Sequence, residues 1–312
     1  MSKPVVAHVW SVERESTIFR DLLGRFQAHA GRFEHVSQVK ADDGEADFRI
    51  YHRPQLEESL VRPCACVVHH DLTDPSDDHA VKAGIARYRE SDLVICLNEG
   101  QARYLEAQGG CRVVVVPHGY DPALRNIGRS GRERGIGPIR LGMFSRRYPR
   151  LVKGEAFLYE LAMRLDPDGY EFVLMGRDRD KDARFLKQLG FPVICNPKPD
   201  YADIMDAYRT LDALLVLSVA EGGPASVPEA VAAGVTIIGR TVGMIPDLAS
   251  DPGHVLNLTD NAPEDAARIH AHFQKVRKAP APPPVPQPGV RPWAETVAAY
   301  EAAIASMLGR PE

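Results

Sequence analysis

Ala213-Leu-Leu-Val-Leu-Ser218-Val-Ala-Glu221-Gly-Gly-Pro-Ala-Ser226-Val-Pro-Glu229-Ala-Val-Ala-Ala-Gly234-Val-Thr-Ile-Ile-Gly239 carries the alternation on which the fold turns. An apolar run stops at Ser218, a Gly-rich turn follows, a helix opens near Ser226, and a second apolar run begins after Gly234. Runs this uniformly apolar are buried on both faces, which implies parallel strands joined by crossover helices. Backbone N–H groups in such a turn and at a helix start form a ready site for phosphate. Gly222 and Gly223 let the backbone approach a ligand closely. Two carboxylates with seven residues between them, Glu221 and Glu229, flank the turn, and carboxylates accept hydrogen bonds from sugar and ribose hydroxyls. Ser226-Val-Pro-Glu229 also fits a capping box, with Pro228 tolerated in the first turn. That alternative makes Glu229 structural and leaves Glu221 and the paired glycines unexplained.

The same alternation extends in both directions. Upstream, the apolar runs predict strands at Pro4–Trp10, Phe48–Arg53, Cys64–His70, Leu93–Asn98 and Arg112–Pro117. Helices are predicted at Thr17–His29, His79–Glu90 and Glu99–Gln108. In the second half strands are predicted at Ile139–Ser145, Glu171–Gly176, Pro192–Asn196, Thr236–Gly239 and His254–Leu258. Helices fall at Gly154–Leu165 and Tyr201–Leu211. Gly128–Gly137 is rich in Gly and Arg and reads as a linker. Ala279–Pro292 holds seven of the 25 prolines and reads as an extended strap leading to a last helix at Trp293–Leu308. The fold class is therefore α/β with two Rossmann-like domains. The first spans residues 1–135 with the helix at 293–312, and the second spans 136–278, the strap being 279–292.

The 312 residues suit two domains. A composition 44% hydrophobic and 26% charged is that of a globular protein, and a net charge of −4 argues against a nucleic-acid binder. No apolar run reaches the roughly 20 residues of a membrane span, and the N-terminus lacks a signal-peptide core. The five cysteines, Cys64, Cys66, Cys96, Cys111 and Cys195, lie in strand-like stretches and read as buried free thiols of a cytoplasmic protein. Arg125–Lys153 holds nine Lys/Arg against one acidic residue, Glu133. It reads either as a solvated linker or as a contact for an anionic acceptor or the inner membrane surface.

Three further stretches carry chemistry. Gly142-Met-Phe-Ser-Arg146-Arg147-Tyr-Pro-Arg-Leu-Val-Lys153-Gly154 follows a strand and opens a helix, placing cations at a strand end. Val67-Val-His69-His70-Asp71 ends another strand. The cluster His69, His70, Asp71, Asp74, Asp77, Asp78 and His79 has side chains apt for a divalent ion but no recognised spacing, so no metal is assigned. Val113-Val-Val-Val-Pro117-His118-Gly119-Tyr120-Asp121 makes a turn after a buried strand. No G-x-G-x-x-G follows a strand, so a nicotinamide enzyme is unsupported.

Taken together these motifs resemble glycosyltransferase family 4, the retaining glycosyltransferases of GT-B fold, over most of the chain from about residue 64 and best over 139–245. Ser218, Glu221, Gly222, Glu229, Ala230 and Gly234 match its E-x7-E signature, with Pro224 where a second glycine usually stands. The Arg-to-Lys153 spacing is longer than usual, and Trp10–Ser16 replaces the customary Gly-Gly loop. The resemblance implies parallel sheets facing a cleft and a C-terminal helix crossing back to the first domain. It implies that Arg146 or Arg147 and Lys153 stabilise the departing diphosphate. By the same resemblance His70 and Glu221 meet the donor sugar, Gly222, Gly223, Pro224, Ala225 and Ser226 line the donor site, and Glu229 holds the ribose.

The expected activity is a metal-independent, retaining glycosyl transfer of hexosyltransferase type (EC 2.4), without a cofactor. The donor is a nucleoside diphosphate sugar, a UDP-sugar by default and a GDP-sugar as the other choice. The acceptor is an unidentified glycan, lipid-linked saccharide or small molecule. The alternatives are a GT-B epimerase or hydrolase acting on sugar nucleotides, and a non-catalytic member that binds sugar nucleotide or glycan.

Overall fold

A computed structural model describes residues 2–11, 17–74, 78–127, 137–248, 255–278 and 289–309. Most of the Gly/Arg-rich linker, most of the proline-rich strap, Glu133, Asp77 and the greater part of the Trp10–Ser16 loop lie outside the described residues. The chain divides into two compact units. One comprises Met1–Gly119, Glu221–Pro224 and Arg291–Glu312, the other Tyr120–Ala220 and Ala225–Val290.

The first unit is built on strands β1 (Val5–Val9), β2 (Glu34–Gln38), β3 (Phe48–Tyr51), β4 (Cys64–Val68), β5 (Leu93–Cys96) and β6 (Val113–Val115). They form one parallel sheet in the order β2-β1-β3-β4-β5-β6. Helix α1 (Thr17–His29) and the last helix, α10 (Trp293–Met307), cover one face, burying Phe26, Val297, Tyr300 and Ile304 against Val6, Ile50 and Val67. Helices α2 (Asp78–Glu90) and α3 (Glu99–Gln108) cover the other, where Tyr88 and Leu105 pack on Val9, Tyr51 and Val68. Helix α3 starts cleanly because the Asn98 side chain accepts the Gln101 N–H. Strand β2 is not anticipated from its sequence: Glu-His-Val-Ser-Gln has one aliphatic residue, and as an edge strand it pairs with β1 alone.

The second unit has strands β7 (Ile139–Phe144), β8 (Tyr170–Met175), β9 (Val193–Asn196), β10 (Ala213–Val216), β11 (Thr236–Gly239) and β12 (Val255–Asn257). Their order is β12-β11-β10-β7-β8-β9, all parallel. Helices α4 (Glu155–Ala162), α5 (Asp180–Gln188) and α9 (Ala262–Lys278) bury Phe157, Leu161, Leu186, Ile269 and Phe273 on one face. Helices α6 (Tyr201–Thr210) and α7 (Ser226–Ala232), with the short α8 (Ile245–Leu248), cover the other with Tyr208, Val227, Val231 and Ile245. This is the doubly wound arrangement in which the strand order reverses between β7 and β10, and ligands bind beyond the carboxyl ends of strands at such a point.

All five cysteines are free thiols, but Cys111 and Cys195 are only half-buried, each lying beside or on a sheet edge. No helix among the described residues is long and apolar enough to cross a membrane.

Candidate functional site

The reversal between β7 and β10 brings two of the motifs together within the second unit. The loop after β7 runs from Ser145 to Gly154, and that after β10 begins at Leu217. The Val219 N–H donates to the Val152 carbonyl at 3.0 Å. Gly154 stands at φ +81°, and a Cβ there would lie 2.0 Å from the Leu217 carbonyl oxygen. Only glycine lets the Lys153–Gly154 turn press onto the end of β10.

The two arginines diverge. The Arg146 guanidinium lies 5.2 Å from the centre of the Tyr148 ring, and the Lys153 ammonium 5.8 Å from the same ring. The aromatic face thus gathers two cations at one strand end. Arg147 instead turns to α5, where its Nε donates to Asp182 at 3.1 Å. Asp182 is fully buried and also receives Arg179 at 2.7 Å and the Tyr159 hydroxyl. Burial, reinforced by the Asp182 carboxylate, pushes the Tyr159 phenol up to about 12, so it stays a donor. Arg179, itself fully buried, donates to the Ser145 carbonyl and hydroxyl at 2.8 Å each and meets Glu155 at 3.1 Å. The loop that carries Arg146 is therefore held from beneath.

Glu229 sits on α7. The capping-box alternative is not realised: Ser226 is the first helical residue, and Ala225 caps it without a side-chain bond. A capping box would need Ser226 one place earlier, outside the helix. The Glu229 carboxylate is met by the Tyr208 hydroxyl of α6 at 3.1 Å, and that hydroxyl also lies 3.0 Å from the Ser226 carbonyl. Burial, and next the Glu229 charge, raise the Tyr208 phenol well above its ordinary value. Helix α6 is itself anchored by an Asp200–Asp203 capping box.

Glu221–Pro224 belong to the first unit. The Gly222 carbonyl accepts from Asn98 Nδ2 at 2.5 Å and Gln101 Nε2 at 3.2 Å. Gln101 also donates to the Val68 and His70 carbonyls at 3.1 and 2.9 Å, tying the turn to the end of β4. The Glu221 N–H reaches Asp71 at 3.3 Å. A Cβ on Gly222 would fall 2.4 Å from the His69 carbonyl oxygen, and one on Gly223 2.7 Å from Leu97. The close approach these glycines permit is to the chain's own backbone and to Leu97.

His69 and His70 follow β4 and point to opposite sides, as successive residues of an extended chain do. The His70 ring packs against Tyr88 and over Gly84 of α2. His69 turns to His52, Phe19 and His118. Among the described residues no three His, Cys, Asp or Glu side chains come together that could hold a metal ion.

Tyr148, Tyr208, Asp182, Arg179, Asn98 and Gln101 support these side chains and carry no signal in the sequence. Tyr148 shares the loop of Arg146 and Lys153; each of the others acts across at least one intervening element or turn, so no spacing announces it.

No protein-family model matches the chain, and no curated protein matches its sequence. Solved structures do match in fold. Anabaena Alr3699/HepE, crystallised with UDP and glucose, superposes with a TM-score of 0.67 at 14% identity, over 97% of this chain and 100% of that one. Sucrose-phosphate synthase from Thermosynechococcus elongatus gives 0.66 at 15% identity over 98% and 97%. The pneumococcal O-GlcNAc transferase GtfA, crystallised with UDP and GlcNAc, gives 0.59 at 16% over 84% of this chain and 57% of its own. The chain has the GT-B fold of these glycosyltransferases.

Proposed function

We propose that the chain is a glycosyltransferase that moves a sugar from a nucleoside diphosphate sugar, UDP-linked by preference, to a hydroxyl acceptor with retention of configuration. The observation that carries this is the convergence of Arg146 and Lys153 on Tyr148 at the end of β7, beside the end of β10. A diphosphate gains negative charge as it leaves, and fixed cations aimed at that charge stabilise the transition state more than the ground state. Two cations suit this task without a divalent ion. Arg147, held by Asp182, keeps the loop in place and adds to the field. Glu229, oriented by Tyr208, accepts the ribose hydroxyls, and the N–H groups of Gly223, Ala225 and Ser226 meet the diphosphate. Glu221 orients the sugar, and His70, packed on Tyr88, steadies the end of β4. The relatives in fold that were crystallised with UDP, UDP-glucose or UDP and GlcNAc support the nucleotide class.

The test is a thermal-shift series with UDP, GDP, ADP and their sugar conjugates, with and without EDTA. One-site linkage gives about 2.7 kcal/mol of stabilisation at a hundredfold excess over Kd. A shift with one nucleotide, indifferent to EDTA and lost in Glu229→Ala, is expected. No shift with any nucleotide would overturn the donor site, and a shift that needs a divalent ion would overturn the metal-independent mechanism.

A further inference from the structure

Four histidines scattered between residues 8 and 69 form one row inside the first unit. Strand order places them side by side: His35 on β2, His8 on β1, His52 just after β3 and His69 just after β4. His35 Nδ1 lies 3.0 Å from His8 Nε2, His8 Nδ1 lies 2.9 Å from His52 Nε2, and His52 Nδ1 lies 2.8 Å from His69 Nε2. At the far end His35 Nε2 is 3.4 Å from Glu301 of α10. That carboxylate also receives the backbone N–H groups of Gly31, Arg32 and Phe33 at 3.0 to 3.1 Å. His8, His35 and His52 are buried, while His69 is partly exposed.

Burial keeps these rings neutral. It holds His8 and His52 well below the ordinary value and His35 below it, and it brings His69 to about 3. A neutral imidazole has one N–H and one bare nitrogen, and its partners decide which is which. A carboxylate that takes backbone N–H bonds can only accept, so His35 must carry its proton on Nε2. Its bare Nδ1 then accepts from His8 Nε2–H, His8 Nδ1 accepts from His52 Nε2–H, and His52 Nδ1 accepts from His69 Nε2–H. The opposite polarity would set a bare nitrogen against the Glu301 carboxylate. One assignment therefore satisfies every contact, and it leaves His69 with a bare Nδ1.

We propose that Glu301, His35, His8 and His52 are positioning residues that fix His69 in its Nε2–H form and hold its Nδ1 as an acceptor for a hydroxyl of the donor sugar. A carboxylate that fixes the tautomer of a working histidine is a familiar device; here it acts through three rings. The identity of the hydroxyl rests on the sugar-nucleotide reading, whereas the tautomer series does not.

The test is long-range proton–nitrogen NMR on the histidine-labelled full chain without ligand. All four rings are expected to carry the proton on Nε2, with nitrogen–nitrogen couplings across the three hydrogen bonds. A protonated Nδ1 on His69, or absent couplings, would overturn the proposal. In His8→Phe the His69 nitrogens are expected to move toward the average of the two tautomers, and unchanged positions would count against control by Glu301. Glu301→Gln, whose amide oxygen still accepts from His35, is expected to keep the wild-type pattern. If His8→Phe does not fold, the wild-type spectra decide. With a sugar nucleotide bound, His69 Nδ1 should shift while His35 does not. A bound sugar nucleotide that leaves Nδ1 in place would overturn the acceptor role. A chain that binds no nucleotide yet shows four Nε2–H rings would overturn the donor reading and the sugar hydroxyl, but not the series.

Discussion

Lys153 owes its place to its neighbour. Gly154 combines φ +81° with a Cβ position 2.0 Å from a backbone oxygen, and neither can relax without moving the end of β10. Gly154→Ala is expected to destabilise the fold by about 3 kcal/mol or more and to lower kcat by displacing Lys153. Urea unfolding beside single-turnover kinetics would read both, and a midpoint within error of wild type would show that the turn yields. At this scale the positions of several candidate residues were legible. The Lys153–Gly154 step, Glu221 and Glu229 stand out because each falls in a Gly-bearing turn or helix start after an apolar run. The divergence of Arg146 from Arg147 was not, since it turns on a buried acid, Asp182, that no spacing links to them. The difference between His69 and His70 was equally hidden. Adjacent residues at a strand end face opposite ways, and only the register of β4 tells which faces the row of rings.

Helix α5 exists to hold a loop as much as to fill a core. Its buried positions are Asp182, Ala183 and Leu186, and Asp182 joins Arg147, Arg179 and Tyr159 in one cluster. Removing one member of a buried ion cluster strands the others, at a cost of roughly 3–5 kcal/mol. Asp182→Ala is therefore expected to lower thermal stability by that order, and Asp182→Asn by less because its amide oxygen can still accept. Equal midpoints for both variants would mean that charge, not hydrogen bonding, holds the loop. The same polar inner face explains why this helix escaped sequence reading: an acid stands where periodicity asks for an aliphatic residue. Strand β2 escaped for a related reason, having a histidine and a glutamine as its buried positions. Helix α1, by contrast, was legible over its full length, Thr17–His29, because Phe19, Leu22, Leu23 and Phe26 keep helical spacing.

At the scale of the whole molecule, pH is the sharpest probe. His8, His35, His52, His69 and His118 all lie below the ordinary 6.5 when folded, His69 at about 3 and His118 at about 4. Below about pH 6.5 the unfolded chain binds protons that the folded one refuses. Stability is thus complete above that pH and falls as pH drops toward 3, by about 1.4 kcal/mol per pH unit for each full proton of difference. Calorimetry from pH 7.5 to 5 should show a falling Tm before carboxylates begin to titrate, and a flat profile would contradict neutral buried rings. The parallel α/β architecture of both units was legible because strand runs and crossover helices alternate along both halves. The exchange of Glu221–Pro224 into the first unit was not, because a four-residue transfer leaves no compositional mark.

The Glu301 carboxylate also sets an order of events during synthesis. It closes on the Gly31 and Arg32 amides across 270 and 269 residues of sequence. At ribosomal speeds of roughly 5–20 residues per second, those amides wait on the order of tens of seconds for their partner. By the end of that interval the second unit has nearly all of its chain, while the first still lacks α10. The nascent protein must then carry an unfinished histidine row past a neighbour that is already able to fold, and its N-terminal sheet is the last part to become native although it is the first to be made.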